Sequence, residues 1–298
     1  MKTLLFGKDG QVGTELQRTL LPHGNLVAVG RAKVDLAQPG MVARCLKQAK
    51  PNVIVNAAAY TAVDKAETEQ DLARAINATA VGEMANYAAQ HGALLIHYST
   101  DYVFDGKKPG PYVPTDTPNP MSVYGRTKLA GEAMIQQSGC DYLVFRTSWV
   151  YSTTGRNFIK TMLRLAAERD HLKVVSDQVG APTSAELIAD VTSLALSGFR
   201  QGVMGAGIYH LAAEGETSWH ELACYAIDRA ARNGKPLKAT PDAVEPIPTS
   251  EFPTPAARPS NSRLDSTSLQ NALSLEFPDW TVHVDRMVDK ITDKNVFR

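Results

Sequence analysis

Tyr124 and Lys128 are four residues apart in Tyr124-Gly125-Arg126-Thr127-Lys128. On a helix that spacing places both side chains on one face, a turn apart. An ammonium close to a phenol favours the phenolate and draws the tyrosine pKa down from its usual ~10. The pair would then give or take a proton near neutral pH. Many helices carry the same spacing as a plain exposed pair, so its meaning depends on the rest of the chain. A second set is Ser99-Thr100-Asp101-Tyr102, which ends the apolar run Ala93-Leu94-Leu95-Ile96-His97-Tyr98. Hydroxyls at the carboxyl end of a central strand point into the crevice where open α/β sheets bind ligands.

These groups need a scaffold, and its first element is short. Leu4-Leu5-Phe6 reads as a strand running into Gly7-Lys8-Asp9-Gly10-Gln11-Val12-Gly13, and a helix pattern follows at Val12, Leu16 and Leu20. Gly7 permits a tight turn, Gly10 lets backbone approach a pyrophosphate, and Gly13 lets helix pack on strand. Gln11 and Val12 open the helix, where free N–H groups receive phosphate. Asp9 is awkward beside phosphates; it either caps the helix or turns away. A second strand, Leu26–Val29, ends at Gly30-Arg31, with no acidic side chain where NADH-preferring folds hold the adenosine ribose. Arg31 suits a 2′-phosphate instead, which points to NADPH, with NADH as the second cofactor. Asp35 and Leu36 are expected at the end of a third strand, near the adenine.

A helix from Met41 to Ala49 leads through Pro51 to a fourth strand, Val53–Asn56. The small residues of Asn56-Ala57-Ala58-Ala59-Tyr60-Thr61 let a flat cofactor lie against backbone, so Ala59, Tyr60 and Thr61 join the cofactor set, as does Tyr98 on the fifth strand. A long helix is expected over 71–91, with Asn77 inside it as a structural amide. The stretch 105–119 is rich in Gly and Pro and is not helical. Ser122 then caps the helix of Tyr124 and Lys128, and a sixth strand, Tyr142–Arg146, closes on Thr147-Ser148-Trp149-Val150-Tyr151. Alternating strands and helices imply an α/β fold, a Rossmann-type doubly wound parallel sheet over 1–150. Residues 151–298 are expected to form mainly a smaller substrate-binding domain, with 183–212 returning to the first. Helices are expected at 157–168, 183–196 and 218–232, strands at 172–175 and 208–211, and a Pro/Ser/Thr-rich loop at 236–263.

The bulk composition excludes several classes. Lys+Arg and Asp+Glu stand at 31 each, so no basic field draws the chain to nucleic acid or anionic lipid. No apolar run approaches the ~18 residues of a membrane span, and the N-terminal run is too short for a signal peptide. Cys45, Cys140 and Cys224 are far apart with no CxxC, which fits buried thiols in a reducing cytoplasm better than disulfides or zinc.

The glycine loop, Thr100 and Tyr124-x-x-x-Lys128 together resemble the extended short-chain dehydrogenase/reductase superfamily. Six stretches resemble one branch of it, the dTDP-4-dehydrorhamnose reductases: residues 7–13, 56–64, 99–104, 145–151, 177–183 and 258–264. The resemblance covers essentially the whole chain. It implies hydride transfer from nicotinamide to the C4 ketone of dTDP-4-dehydro-L-rhamnose. Tyr124 would protonate the developing alkoxide, Lys128 would lower the tyrosine pKa and bond the nicotinamide ribose, and Thr100 would hold the carbonyl oxygen. Trp149 would lie against the substrate, Asp101 and Tyr102 would bond sugar hydroxyls, and Arg258 and Arg263 are candidates for the diphosphate.

Neighbouring activities share parts of this pattern. A 4,6-dehydratase of the superfamily carries Asp-Glu after its threonine, whereas Tyr102 follows Asp101 here, and an epimerase would need a base that is not evident. A non-catalytic regulatory subunit of methionine adenosyltransferase also resembles this branch. Such reductases are associated with magnesium at a homodimer contact, where Glu15 and Glu186 could take part; no metal site is assigned.

Overall fold

The computed structural model describes residues 1–293. Its centre is a six-stranded, all-parallel sheet in the order Gly207–His210, Tyr142–Thr147, Leu94–Thr100, Val53–Asn56, Lys2–Phe6, Asn25–Val29. In chain order the elements are β1 (Lys2–Phe6), α1 (Gln11–Thr19), β2 (Asn25–Val29), α2 (Met41–Ala49) and β3 (Val53–Asn56). Next come α3 (Val63–Ala66), α4 (Gln70–Arg74), a π-turn at Ala75–Thr79, α5 (Ala80–His91), β4 (Leu94–Thr100), α6 (Val123–Ser138) and β5 (Tyr142–Thr147). The remainder holds β6 (Val150–Tyr151), α7 (Phe158–Glu168), β7 (Leu172–Val175), β8 (Val179–Gly180), β9 (Thr183–Ser184) and α8 (Ala185–Arg200). It closes with β10 (Gly207–His210), β11 (Thr217–Ser218), α9 (Trp219–Arg232), β12 (Val244–Ile247), α10 (Thr267–Leu273) and α11 (Trp280–Thr292). The fold is the Rossmann-type α/β arrangement expected from the alternating pattern.

β1 pairs with β2 on one side and β3 on the other, so the chain reverses its winding direction there and leaves a crevice at the strands' carboxyl ends. β4 is buried along its whole length, as a central strand covered on both faces must be. One large apolar cluster lies under α1, α8 and α9, and a second lies between the sheet and α2 and α5.

The expected third strand at Asp35-Leu36 does not form. After Gly30 the chain turns at once, with Lys33 and Val34 N–H both bonding the Gly30 carbonyl, and Asp35 Oδ1 accepts from Ala37 N–H at 3.0 Å. Asx turns of this kind compete with ladder pairing. The sixth strand of the sheet is instead β10, paired with β5. The expected helices over 71–91, 157–168, 183–196 and 218–232 are present within a few residues of those bounds. β12 and two short 3-10 turns interrupt the loop expected at 236–263, and the terminal helices α10 and α11 had no counterpart in the sequence reading.

Candidate active site

The Tyr124 helix is positioned from both ends. Ser122 Oγ accepts from Gly125 N–H at 3.1 Å, closing the first turn, as its cap position implies. Gly125 and Gly131 let the helix approach closely. A Cβ at Gly125 would lie 2.2 Å from the Tyr102 carbonyl oxygen, and one at Gly131 would lie 2.3 Å from that of Asn77. Asn77, inside the π-turn, accepts from Tyr60 N–H and donates to Tyr60 O and Thr127 Oγ1, so it is the structural amide anticipated. Deeper in, Glu132 takes a two-pronged bond from Arg146 of β5 (3.0 and 2.7 Å) and a very short one from the Ser99 hydroxyl of β4. This buried ion pair fixes the helix against two sheet strands.

A cavity of about 800 Å³ opens over the carboxyl ends of β1, β3 and β4. It is lined by Gly7, Gly10, Gln11, Val12, Arg31, Asp35, Leu36, Ala59, Tyr60, Thr61, Tyr98, Thr100, Asp101, Tyr102, Tyr124, Lys128 and Trp149, all anticipated from the sequence. Gly13 lies behind the loop: a Cβ there would fall 2.0 Å from the Gly7 carbonyl oxygen. Gly7 has φ +81°, and α1 follows Gly10 as its N-cap position, with no side-chain cap and no acidic residue in its first turn. Bare N–H groups at an uncapped N-terminus form an anion cradle, so this end of the cavity fits a pyrophosphate. Asp9 does not cap α1. Its carboxylate packs over Gly30, where any Cβ would collide with Oδ2, and Arg31 pairs with Asp35 at 3.4 Å.

At the other end, Thr100 Oγ1 donates to Asp101 Oδ1 at 3.1 Å and accepts from Tyr102 N–H at 3.2 Å. Asp101 Oδ2 and Thr147 Oγ1 are buried and have no hydrogen-bond partner. Burial pushes the Asp101 carboxyl up to about 6, against the pull of the Ser262 and Thr100 hydroxyls. Tyr102 lies edge-on to Tyr124, with ring centroids 5.5 Å apart. Trp149 stacks on Trp219 at 3.6 Å between ring centroids, and Trp149 takes φ +48°, a left-handed backbone rare for a bulky residue. The Trp219 indole N–H donates to Gln178 Oε1 at 3.1 Å, which holds the stack in place.

The acid/base pair differs from its sequence expectation. Tyr124 is raised, not lowered, to about 12, because the surrounding protein desolvates the phenol although part of the residue faces the cavity. The Thr100 hydroxyl pulls the other way, and the Asp101 charge adds to the rise. Lys128 Nζ turns to the sheet, donating to the Tyr98 carbonyl at 2.6 Å and lying 3.2 Å from His97 Nε2. Burial lowers Lys128 to about 8.

Arg258 and Arg263 do not line the cavity. Arg258 pairs with Asp64 at 2.9 Å, and Arg263 is spent on Glu216, the Pro109 carbonyl and Asn261. The sequence reading missed Trp219, Thr147, Val150 and Arg156 in the lining. Trp219 had a signal, an aromatic at the first position of a helix after a Ser218 cap; Thr147 and Val150 lie in the stretch 145–151 that resembles the reductases, with Thr147 a hydroxyl at a strand's carboxyl end, and Arg156 had none. Among the described residues no cluster of His, Cys, Asp and Glu is arranged to hold a metal. The Glu186 charge reaches Glu15 and helps raise its carboxyl, but Glu186 is itself bound by Arg286 and Lys290.

Known proteins show the same architecture. The family described as RmlD substrate binding domain matches residues 1–293. The dTDP-4-dehydrorhamnose reductase of Shigella flexneri is 49% identical over 295 residues, 98% of each chain, and that of Escherichia coli K12 is 48% identical over the same span. Among solved structures, the Clostridium acetobutylicum dTDP-4-dehydrorhamnose reductase superposes with a TM-score of 0.89 at 34% identity, covering 98% of this chain and 100% of that one. The Bacillus anthracis dTDP-4-dehydrorhamnose reductase, solved in complex with NADP, gives 0.85 at 33% identity, covering 96% and 98%. A glycine cradle, a Tyr/Lys helix and full-length likeness to these enzymes converge on one assignment: the chain belongs to the dTDP-4-dehydrorhamnose reductase family.

Proposed function

We propose that this protein is an NADPH-dependent oxidoreductase that reduces the C4 ketone of dTDP-4-dehydro-L-rhamnose to give dTDP-L-rhamnose. The observation that carries the reading is that Tyr124, Thr100 and Lys128 share one cavity with the uncapped glycine loop. NADPH, when bound, supplies the hydride. Gly7, Gly10, Gln11 and Val12 hold its pyrophosphate, Gly13 keeps the loop tight, and Arg31 takes the 2′-phosphate. Asp35 and Leu36 flank the adenine, and Ala59, Tyr60, Thr61 and Tyr98 line the cofactor's path.

Tyr124 is the acid. With a pKa of about 12 the phenol stays protonated at neutral pH, so it holds the proton that the alkoxide oxygen requires. Thr100, whose hydroxyl proton points at Asp101 Oδ1 in the structure, turns to donate to the same oxygen when the ketone is bound. Asp101 Oδ2 and Thr147 Oγ1, both without partners, receive sugar hydroxyls together with Tyr102, since a buried acceptor left unpaired is unfavourable by about 1–3 kcal/mol. The Trp149–Trp219 stack forms the wall against the sugar nucleotide. Arg258, which acts electrostatically on Tyr102, is the diphosphate candidate; Arg263, with its donors engaged, is structural.

We divide the labour as cofactor binding in 1–150, joined by 183–212, and substrate binding mainly in the rest of 151–298. Contacts of α8 with α1 and the pairing of β10 with β5 support that division. No helix of the described residues is long and apolar enough to cross a membrane, and free Cys45, Cys140 and Cys224 support a reducing cytoplasm. The test is oxidation of NADPH and of NADH, in parallel, with dTDP-4-dehydro-L-rhamnose. Turnover faster with NADPH is expected; no oxidation of either cofactor would overturn the reading.

A further inference from the structure

The loop between β6 and α7 is tied at both ends to Gln11, the first residue of α1. Gln11 Nε2 donates to the Val150 carbonyl at 3.4 Å, and Gln11 Oε1 accepts from Asn157 Nδ2 at 3.1 Å. Inside the loop, Asn157 Nδ2 also donates to the Ser152 carbonyl at 2.6 Å. Lys160 Nζ reaches back to the Thr153 and Gly155 carbonyls, each at 2.9 Å. Gly155 takes φ +68°, and a Cβ on it would lie 3.3 Å from Gln11 Cγ. Hydrogen bonds thus fix the loop's shape and set it against the N-terminus of α1.

The loop carries Arg156, which is exposed and lines the same cavity as Gly7, Gly10 and Gln11. Among the described residues its guanidinium has no ion-pair or hydrogen-bond partner. The other cations of the lining are already engaged: Arg31 with Asp35 at 3.4 Å, and Lys128 with the Tyr98 carbonyl. Lys8 of the glycine loop pairs with Asp9 at 3.5 Å.

Charge balance gives the free guanidinium a task. A pyrophosphate carries a negative charge on each phosphate, whereas the bare N–H groups of a helix N-terminus offer about half a positive charge. Asp9 and Asp35 also line the cavity, and their partners Lys8 and Arg31 do no more than cancel them. The cradle therefore lacks a formal cation, and a guanidinium fork matches phosphate oxygens two at a time. We propose that Arg156 is a cofactor-binding residue, the cation that completes the glycine cradle around the cofactor's pyrophosphate. The proposal rests on the reading of this end of the cavity as the NADPH site. Its role differs from that of Arg31, because the 2′-phosphate belongs to NADPH alone and the pyrophosphate is common to NADPH and NADH. The sugar nucleotide brings a diphosphate too; the tether to Gln11 favours the cofactor's.

The test compares the wild type, Arg156→Ala and Arg156→Lys. Dissociation constants are measured for NADPH and NADH by nicotinamide fluorescence and for dTDP by calorimetry. In Arg156→Ala, affinity for both cofactors should fall by the same factor, about tenfold, as for loss of a hydrogen bond to a charged group, while dTDP binds as before. Arg156→Lys keeps the charge without the fork and should recover part of the loss. The deficit of the alanine variant should shrink as salt rises, because the guanidinium is exposed. Unchanged cofactor affinity would overturn the proposal. So would a loss confined to NADPH, which assigns Arg156 to the 2′-phosphate, or a loss of dTDP affinity, which assigns it to the sugar nucleotide. A wild type that binds neither cofactor would overturn the NADPH site itself, a result separate from any behaviour of the variants.

Discussion

The two ends of the cavity are made of different material. The cofactor end is backbone: Gly7 at φ +81°, an uncapped α1, and the small residues after β3, all within the first 62 positions. The other end, the proposed sugar site, is side chains gathered from afar, with Asp101 and Tyr102 after β4, Trp149 after β5 and Trp219 at the start of α9. Backbone sites are shaped by turn geometry and tolerate little, because an added Cβ has nowhere to go. Side-chain sites depend on mutual packing, so losing one member weakens the wall and leaves the chemistry in place.

Substitutions at the two ends should therefore fail in different ways. Gly13→Ala places a methyl 2.0 Å from the Gly7 carbonyl oxygen and must move the loop. Cofactor affinity measured by nicotinamide fluorescence should fall roughly 100-fold, about 3 kcal/mol, as expected for overpacking that displaces backbone. Trp219→Ala removes one ring of the stack and leaves the loop alone. The sugar nucleotide KM should rise about tenfold with NADPH affinity unchanged, in line with about 1 kcal/mol for an aromatic pair beyond its burial. Arg31→Ala should act least. Its side chain is 77% exposed and already paired with Asp35, so NADPH affinity should drop roughly threefold to fivefold while NADH affinity holds. Equal losses of both cofactors would remove Arg31 from the 2′-phosphate role.

The same contrast explains what could be read from the chain. The glycine loop and the Tyr124 helix were legible because their signals are local: three glycines between a strand and a helix, and a Ser cap two residues before a tyrosine. Trp219 escaped because its partner Trp149 lies 70 positions back: an aromatic after a Ser cap marks a helix start, not a stack across the cavity. Asp35-Leu36 misled because apolar residues after Gly30 resemble a strand, while Asp35 bonds its own backbone and forms a turn. Arg263 resembled an anion ligand, but Glu216 and the Pro109 carbonyl take its guanidinium. The lowered tyrosine pKa expected from spacing alone did not survive burial: desolvation raises Tyr124, and Lys128 bonds to the sheet. A phenol raised in this way keeps its proton at neutral pH, which supports the proposed role of Tyr124 as the acid.

Tyr124→Phe tests the acid role most directly, with turnover and NADPH affinity measured on the same preparation. The phenylalanine keeps the ring against Tyr102 and removes only the hydroxyl. In the variant, kcat with dTDP-4-dehydro-L-rhamnose should fall roughly 100- to 10,000-fold, the range for loss of a general acid, while NADPH binds as in the wild type. A variant that kept near-full turnover would contradict the acid role.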